Sequence, residues 1–163
     1  MQMRKSIFDP GNQANDVTSK IITGLERISE SFKVLLWEKA KTLGLSPIQI
    51  QILIFVAYHK RELCNVSYLA REFNITKPTV SDAVRILDQK KLVLKEFSSS
   101  DNRSYTIRLS RTGEKVVRET DDFALPMQDP LKVLPAVDLE NLFYALSRLI
   151  YQLNQKGILS VQR

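Results

Sequence analysis

The stretch that decides the fold, residues 65–109, reads NVSYLAREFNITKPTVSDAVRILDQKKLVLKEFSSSDNRSYTIRL. Asn65 can cap a short helix over residues 66–73, and Thr76 can cap a second helix that runs to about Lys90, because Asn and Thr side chains accept hydrogen bonds from the first helical turn. Only a two-residue turn separates the two helices. This arrangement predicts a helix-turn-helix.

A β-hairpin follows the second helix. Residues 92–97 are apolar enough for a strand, residues 98–102 are polar, and residues 104–109 alternate polar and apolar side chains. The apolar positions that share one face of the second strand are Tyr105, Ile107 and Leu109. A hairpin directly after a helix-turn-helix is a wing, so the predicted fold class is mostly α with a small β-wing, a winged helix-turn-helix.

Two further helices precede the helix-turn-helix. Residues 17–43 carry apolar side chains at alternating spacings of four and three, which is a heptad seam. Ser46 opens the next helix, because it forms a capping box with Gln49 and because Pro47 suits a first helical turn. This helix is apolar on nearly every side through Tyr58, so it is predicted to lie buried at the centre of the domain.

The C-terminal part is predicted to hold one helix from Ser110 to about Leu125 and another after Asp138. Three prolines are predicted to break up the residues between them: Pro126, Pro130 and Pro135. The last helix carries one apolar stripe, as does the first helix, and a single winged helix cannot cover both. Packing against a second copy would bury them, so a homodimer with two-fold symmetry is expected.

The predicted domain organisation follows from these helices. Residues 1–14 form an irregular N-terminal segment, and residues 44–118 form the winged helix-turn-helix. Residues 15–43 and 119–163 form a helical dimerisation region. No apolar run follows the basic N-terminus, and the longest uncharged stretch is better explained as the buried helix. A cytoplasmic protein without a membrane partner is therefore expected.

The charge of the chain points to a polyanion. The net charge is +6, and residues 65–118 carry eleven basic and six acidic side chains, whereas residues 119–163 carry four and six. A localised basic region is typical of proteins that bind nucleic acid. One histidine, one cysteine and five glycines leave no catalytic constellation, metal cluster or phosphate loop, so no enzyme, metal or cofactor is expected.

The second helix of the helix-turn-helix is the candidate reading helix. Its apolar positions share one face, which leaves Lys77, Ser81 and Arg85 on the other, where they can donate to base edges or phosphates. Asp82 can accept from a cytosine amino group, or it can pair with Arg85. The candidate DNA-binding residues of this helix are Thr76, Lys77, Pro78, Thr79, Ser81, Asp82 and Arg85.

At these motifs the chain resembles the MarR family of regulators, over residues 43–118. The matching segments are LSPIQ at 45–49, VSYLAREF at 66–73, TKPTVS at 76–81, LDQKKLV at 87–93, DNR at 101–103 and LSRTG at 109–113. The resemblance implies a homodimeric transcription regulator, in most members a repressor, that binds a pseudo-palindromic operator in double-stranded DNA. An alternative is a winged helix used for protein contacts or RNA binding, without operator specificity.

The resemblance also implies roles for single residues. Arg103 would enter the minor groove with Ser104 beside it, Asp101 would brace the wing, and Ser81 and Arg85 would lie in the major groove. The chain departs from the family pattern in two places. Residues 90–91 are lysines where the family often has glycine, which predicts a less sharply bent approach to the wing, and Asp82 is unusual on a groove-facing surface.

A small-molecule effector is a further implication. Family members often hold a ligand between the dimer helices and the reading head, where four residues are candidates for lining it: Trp37, Tyr58, His59 and Phe123. These aromatic residues can equally belong to the core. Cys64 is either an oxidant sensor, which requires exposure and a low thiol pKa, or a buried inert thiol.

Overall fold

The structure is a computed structural model that describes residues 16–97, 105–120 and 122–157. Its elements are α1 (Val17–Thr42), α2 (Pro47–Tyr58), the 3-10 helix η1 (Arg61–Leu63), α3 (Val66–Glu72), α4 (Lys77–Gln89), β1 (Val93–Phe97), β2 (Tyr105–Leu109), α5 (Arg111–Thr120), α6 (Leu125–Lys132) and α7 (Ala136–Gln155). The predicted fold class, mostly α with a small β-wing, is confirmed.

The predicted helix caps are confirmed. The Ser46 hydroxyl accepts from the Gln49 amide, and the Gln49 side chain accepts from the Ser46 amide, so α2 begins with a complete capping box. Asn65 accepts from the Tyr68 amide at 2.9 Å, and Thr76 accepts from the Thr79 amide at 3.3 Å. These bonds satisfy donors that a helix leaves free, which is why α3 and α4 begin where the sequence predicts.

Four helices end in the same way. The residue after the C-cap of α1, α3, α4 and α7 has a positive φ, and these residues are Gly44, Asn74, Lys91 and Gly157. After α4, the Leu92 amide donates to the Leu87 carbonyl at 2.9 Å and the Lys91 amide donates to the Asp88 carbonyl at 2.8 Å. The turn into the wing thus has the left-handed geometry that glycine usually supplies, although a lysine occupies it. Hydrogen bonds to the last helical carbonyls offset the cost of about 1–2 kcal/mol of a left-handed lysine.

The wing is a two-stranded antiparallel sheet in which Val93 is opposite Leu109. Ile107 and Leu109 are buried and Tyr105 is half-buried, so the predicted inner face of β2 is confirmed. The Ile107 amide also donates to the Cys64 carbonyl at 2.8 Å. The residue after η1 therefore pairs with β2 on the edge opposite β1 and ties the hairpin to the domain.

The main core lies between α2, α3, α4, the hairpin and α5. A smaller cluster of Leu36, Ala40 and Ile50 joins α1 to α2. Because α2 contributes Ile50 to the smaller cluster and Ile52, with its neighbours, to the main core, this helix is buried as predicted. The largest fully buried side chains are Ile50, Ile52, Leu53, Leu69, Leu87, Ile107, Val80, Val84, Val93, Thr120 and Cys64.

The region after the wing differs from the prediction. Helix α5 ends at Thr120 and not near Leu125, and α6 forms where prolines were predicted to break the chain. Pro126 lies in the first turn of α6, where no amide donor is needed. Pro130 does remove a donor inside α6, and the helix ends two residues later. Pro135 then precedes α7, which begins two residues earlier than Asp138.

The flanking helices bury little of their apolar surface. Helices α6 and α7 contain no buried residue, and much of the apolar surface of α1 is exposed. Among the described helices, none meets the length and hydropathy required of a membrane span by itself, and α1 with α2 meets them only as a pair bent by 91°.

Candidate nucleic-acid interface

Helix α4 separates its residues between a buried and an exposed face. Val80, Ala83, Val84 and Leu87 are buried in the main core. The other face is turned outward: Lys77, Pro78, Asp82 and Arg85 are exposed and Ser81 is half-buried. These five predicted contact residues thus lie on one accessible face of α4, as the sequence predicts.

The first turn of α4 is occupied by its own cap. Besides the Thr76–Thr79 cap bond, the two threonine hydroxyls lie 2.8 Å apart, within hydrogen-bond distance. Pro78 has no amide hydrogen, and the Thr79 amide is used by the cap. This end of the helix therefore offers an approaching phosphate the one hydroxyl hydrogen that the threonine pair does not use, and the ammonium group of Lys77.

Asp82 and Arg85 form an ion pair across one turn of α4. The closest carboxylate oxygen and guanidinium nitrogen are 3.5 Å apart, and the side chains are 70% and 56% exposed. An exposed pair at that distance contributes little to stability, on the order of 0–1 kcal/mol. Arg85 can therefore exchange Asp82 for a nucleic-acid acceptor at small cost, and of the two interpretations of Asp82 the pairing is the one observed.

The wing tip contains the other predicted contacts. Asp101, Arg103 and Ser104 lie outside the described residues, and so does the segment 1–14. The root of the wing lies within the described residues, and on its outer face one carboxylate pairs with two arginines. Glu96 in β1 pairs with Arg108 in β2 at 3.0 Å and with Arg61 of η1.

The sequence prediction missed these wing-root residues. Arg61 and Arg108 are exposed cations beside the hairpin, and Glu96 holds both of them. Alternation along the strands places Glu96 and Arg108 on the outer face, so that signal was present in the sequence. The contact of Arg61 with them joins residues far apart in the chain and had no local signal.

A cavity of about 710 Å³ lies between the C-terminal half of α1 and the start of α2. Its lining residues are Lys33, Val34, Leu36, Trp37, Glu38, Pro47 and Gln51. Of the four residues predicted to line an effector site, Trp37 alone belongs to this set. Phe123 packs against the smaller core cluster.

The other two predicted pocket residues lie at the opposite end of α2. Tyr58 ends this helix, about 17 Å along the axis from Pro47 at a rise of 1.5 Å per residue, and His59 is its C-cap. The His59 ring stacks on Phe55 with 3.8 Å between the centroids, and its Nδ1 lies 3.0 Å from the Phe55 carbonyl. The structure therefore does not gather the four predicted residues into one cavity.

Cys64 has the surroundings of an inert thiol. It is 1% exposed and belongs to the main core. Burial raises the pKa of the Cys64 thiol, and the nearby Glu62 carboxylate raises it further. Both effects disfavour the thiolate, which is the reactive form, so the buried interpretation is favoured over the oxidant sensor. Within the described ranges, no cluster of three His, Cys, Asp or Glu side chains could hold a metal ion.

Comparison with known proteins identifies the relatives of this arrangement. Residues 43–104 match the model of the MarR family. No curated protein sequence matches the chain. Solved structures with the same fold include a MepR–DNA complex from S. aureus, at 23% identity and a TM-score of 0.68, covering 78% of this chain and 94% of that one.

Two further structures extend the comparison. A MarR transcriptional regulator from Methanosarcina mazei Go1 has 18% identity and a TM-score of 0.69, with 83% of this chain and 96% of that one covered. MepR, a transcription regulator of the S. aureus multidrug efflux pump MepA, has 24% identity and a TM-score of 0.60, with 79% and 95% covered. At these identities the likeness concerns the fold. The proteins of both structures are described as transcription regulators.

Proposed function

Since residues 43–104 match the model of the MarR family, we propose that this chain is a MarR-type transcription regulator that binds double-stranded DNA in a sequence-specific manner. The observation that carries the proposal is the α4 surface. This helix buries its apolar face in the core and exposes Lys77 and Arg85, with the half-buried Ser81 between them, beside a hairpin rooted among basic side chains. A helix-turn-helix presents its second helix to the major groove in this way.

The proposed contacts divide between the two grooves. Ser81 and Arg85 read base edges in the major groove, where an arginine can donate to guanine O6 and N7. Lys77 and a threonine hydroxyl group of the first turn contact phosphates, with Pro78 at the same end. Arg103 and Ser104 extend the contact into the minor groove, and Asp101 braces the wing that carries them.

A second copy of the chain is the proposed partner of the flanking helices. Helix α7 carries a stripe through Leu139, Leu146 and Leu153, which are half-buried. It carries another at Val137 and Tyr144, where Tyr144 is 64% exposed. The second stripe is offset from the first by two residues, or about 200° around the helix. A helix with apolar side chains on two sides requires two partners, and a symmetric copy supplies the second one.

Further parts of the proposal depend on the dimer. Residues 44–118 form the reading head, and residues 15–43 and 119–163 form the dimerisation region around it. Two heads related by two-fold symmetry fit a pseudo-palindromic operator with half-sites about one helical turn apart. Repression is the proposed mode, the cytoplasm the proposed location, and a small apolar effector beside Trp37 the proposed signal for release.

Fluorescence anisotropy tests the DNA-binding proposal. The probe is the duplex upstream of the chain's own gene, a scrambled duplex is the reference, and both are measured at two salt concentrations. We expect tighter binding to the upstream duplex and a steep loss of affinity with salt, because phosphate contacts release counterions. Arg85→Ala should reduce the preference for the upstream duplex, whereas Arg27→Ala in α1, with the same loss of charge, should leave it unchanged.

Other results would contradict the proposal. Equal and weak binding to every duplex, including operators selected from a random library, would favour a winged helix used for protein contacts. Tighter binding to single-stranded RNA than to either duplex would favour an RNA-binding module.

Sedimentation velocity tests the dimer. We expect the unmodified protein to sediment as a dimer and Tyr144→Asp, on the second stripe, to shift it to the monomer, because the charge would be buried in the interface. The control is Gln152→Glu, a charge added to α7 between its two stripes. A monomeric unmodified protein, or equal behaviour of both variants, would contradict the dimer.

A further inference from the structure

Lys95 in β1 lies between the reading helix and the second strand of the wing. Its Nζ atom is 2.9 Å from a carboxylate oxygen of Asp88, in the last turns of α4. It also lies 5.6 Å from the centre of the Tyr105 ring in β2, within the range of a cation–π contact. One ammonium group thereby contacts both sides of the corner between α4 and the hairpin.

This corner decides how the wing is oriented. Between α4 and β1 the chain passes through Lys91 in the left-handed conformation, and the hydrogen bond from Leu92 to Leu87 fixes that turn locally. The contact between Asp88 and Lys95 lies further from the turn than the hydrogen bond of Leu92 does. It therefore resists a change of the angle between α4 and the hairpin with a longer lever arm than the turn alone provides.

The side chain of Lys95 is less exposed than those of the other basic residues that the structure describes in the head. The side chain is 22% exposed and its Asp88 partner 42%, whereas the Asp82–Arg85 pair is more than half exposed on both sides. A partly buried pair at 2.9 Å is screened less by water and salt than an exposed pair at 3.5 Å. A phosphate contact by Lys95 would require this pair to break.

We propose that Lys95 is a positioning residue that fixes the angle between α4 and the wing through Asp88 and Tyr105, so that helix and hairpin can reach the major and minor grooves together. This inference depends on the proposed DNA-binding function. Lys95 then acts without contacting DNA, although it is a basic residue of the reading head. Asp88 is necessary for binding, although it is an acidic residue beside the proposed DNA-binding surface.

Four variants separate positioning from contact. Lys95→Met keeps the length of the side chain without its charge, and Asp88→Asn removes the partner. The double variant Asp88→Lys with Lys95→Asp exchanges the two charges. Lys132→Met is the control, because it removes one positive charge from an exposed pair within α6. Operator affinity is measured for each as a function of salt concentration, and thermal melts establish that each variant folds.

For a positioning role, Lys95→Met and Asp88→Asn should each weaken operator binding about tenfold, which is a typical loss when one of two contacting residues is removed. The slope of log affinity against log salt concentration should stay unchanged. The charge exchange should recover most of the loss, and Lys132→Met should behave as the unmodified protein. A phosphate contact predicts the opposite: the slope for Lys95→Met falls by about 0.9, and Asp88→Asn binds more tightly because it frees Lys95. That result, or no effect of either single variant, would overturn the proposal.

Hydrogen exchange without DNA gives an independent readout. Lys95→Met and Asp88→Asn should increase amide exchange in β1 and β2 but not in α2, because the brace restrains the hairpin and not the core. If the unmodified protein failed to prefer any operator, the proposed function would fail, and the exchange data would still decide whether the brace exists. Unchanged exchange in the hairpin would overturn it.

Discussion

Gly113 in the first turn of α5 faces the backbone of Leu92 at the root of the wing. A Cβ atom at this position would lie 2.0 Å from the Leu92 carbonyl oxygen and 3.0 Å from its carbonyl carbon. Even weak C–H···O contacts keep carbon and oxygen about 3.3 Å apart or more. Since both atoms belong to the backbone, no side-chain rotation relieves the clash, and Gly113→Ala must displace α5 from β1 by more than 1 Å, roughly the difference between these distances.

The magnitude follows from three contributions. Overpacking costs about 1–3 kcal/mol. The displacement also strains the hydrogen bonds from the Ser110 amide to the Leu92 carbonyl and from the Gly113 amide to the Ser110 hydroxyl, both 3.0 Å long. Each such bond contributes about 1 kcal/mol. Alanine regains about 1 kcal/mol of helix propensity, so Gly113→Ala should lower the free energy of unfolding by about 2–4 kcal/mol.

Urea unfolding followed by circular dichroism measures this change. The control is Gly24→Ala in α1, where an added Cβ meets no atom within 4 Å. This variant should gain about 0.5–1 kcal/mol from helix propensity alone. Equal stability of the two variants, or a Gly113→Ala protein within about 0.5 kcal/mol of the unmodified one, would refute the steric reasoning.

Lys91→Gly should raise the free energy of unfolding by about 1 kcal/mol, because glycine adopts the left-handed conformation without strain, while Lys90→Gly, at a φ of −77°, should lower it; urea unfolding of both decides. Cys64 should resist alkylation at pH 8 in the native protein and react after unfolding, because burial raises the pKa of its thiol; fast native labelling would contradict this. The hydrogen bond from Lys39 lowers the pKa of the Asp122 carboxyl below its ordinary 3.8, so its stabilising effect is present above pH 3.8 and lost as the pH falls further. Thermal melts of the unmodified protein should therefore show a larger loss below pH 3.8 than those of Asp122→Asn, and parallel curves would exclude the effect.

Local hydrogen bonding explains what the sequence could predict. Ser46, Asn65 and Thr76 each cap a helix by accepting from the amide three residues further on, so the pattern is readable without knowledge of the tertiary fold. The face of α4 that carries Arg85 follows in the same way from helical periodicity. The α6 helix was not predicted, because three prolines in ten residues outweigh other local signals, although Pro126 is compatible with a first helical turn.

The partly buried contacts of the reading head could not be predicted. Lys95 and Asp88 are brought together by the left-handed turn at Lys91, and a lysine in the sequence does not indicate that conformation. The effector-site prediction followed from the family resemblance and took four residues from different parts of the chain, without the register between α1 and α2. That register places Trp37 beside the start of α2 and leaves Tyr58 at its far end.

The edges of the small sheet have a consequence for aggregation. Unpaired strand edges are templates on which other chains can add a strand and begin to aggregate. The backbone of Cys64 covers β2 at Ile107, and within the described residues β1 has β2 as its strand partner. The other edge of β1 is short and carries Lys95 and Glu96, two adjacent charges, each held in an ion pair. An incoming strand would have to accommodate both charged side chains, so the ion pairs that anchor the hairpin also protect it from fibril-like strand addition.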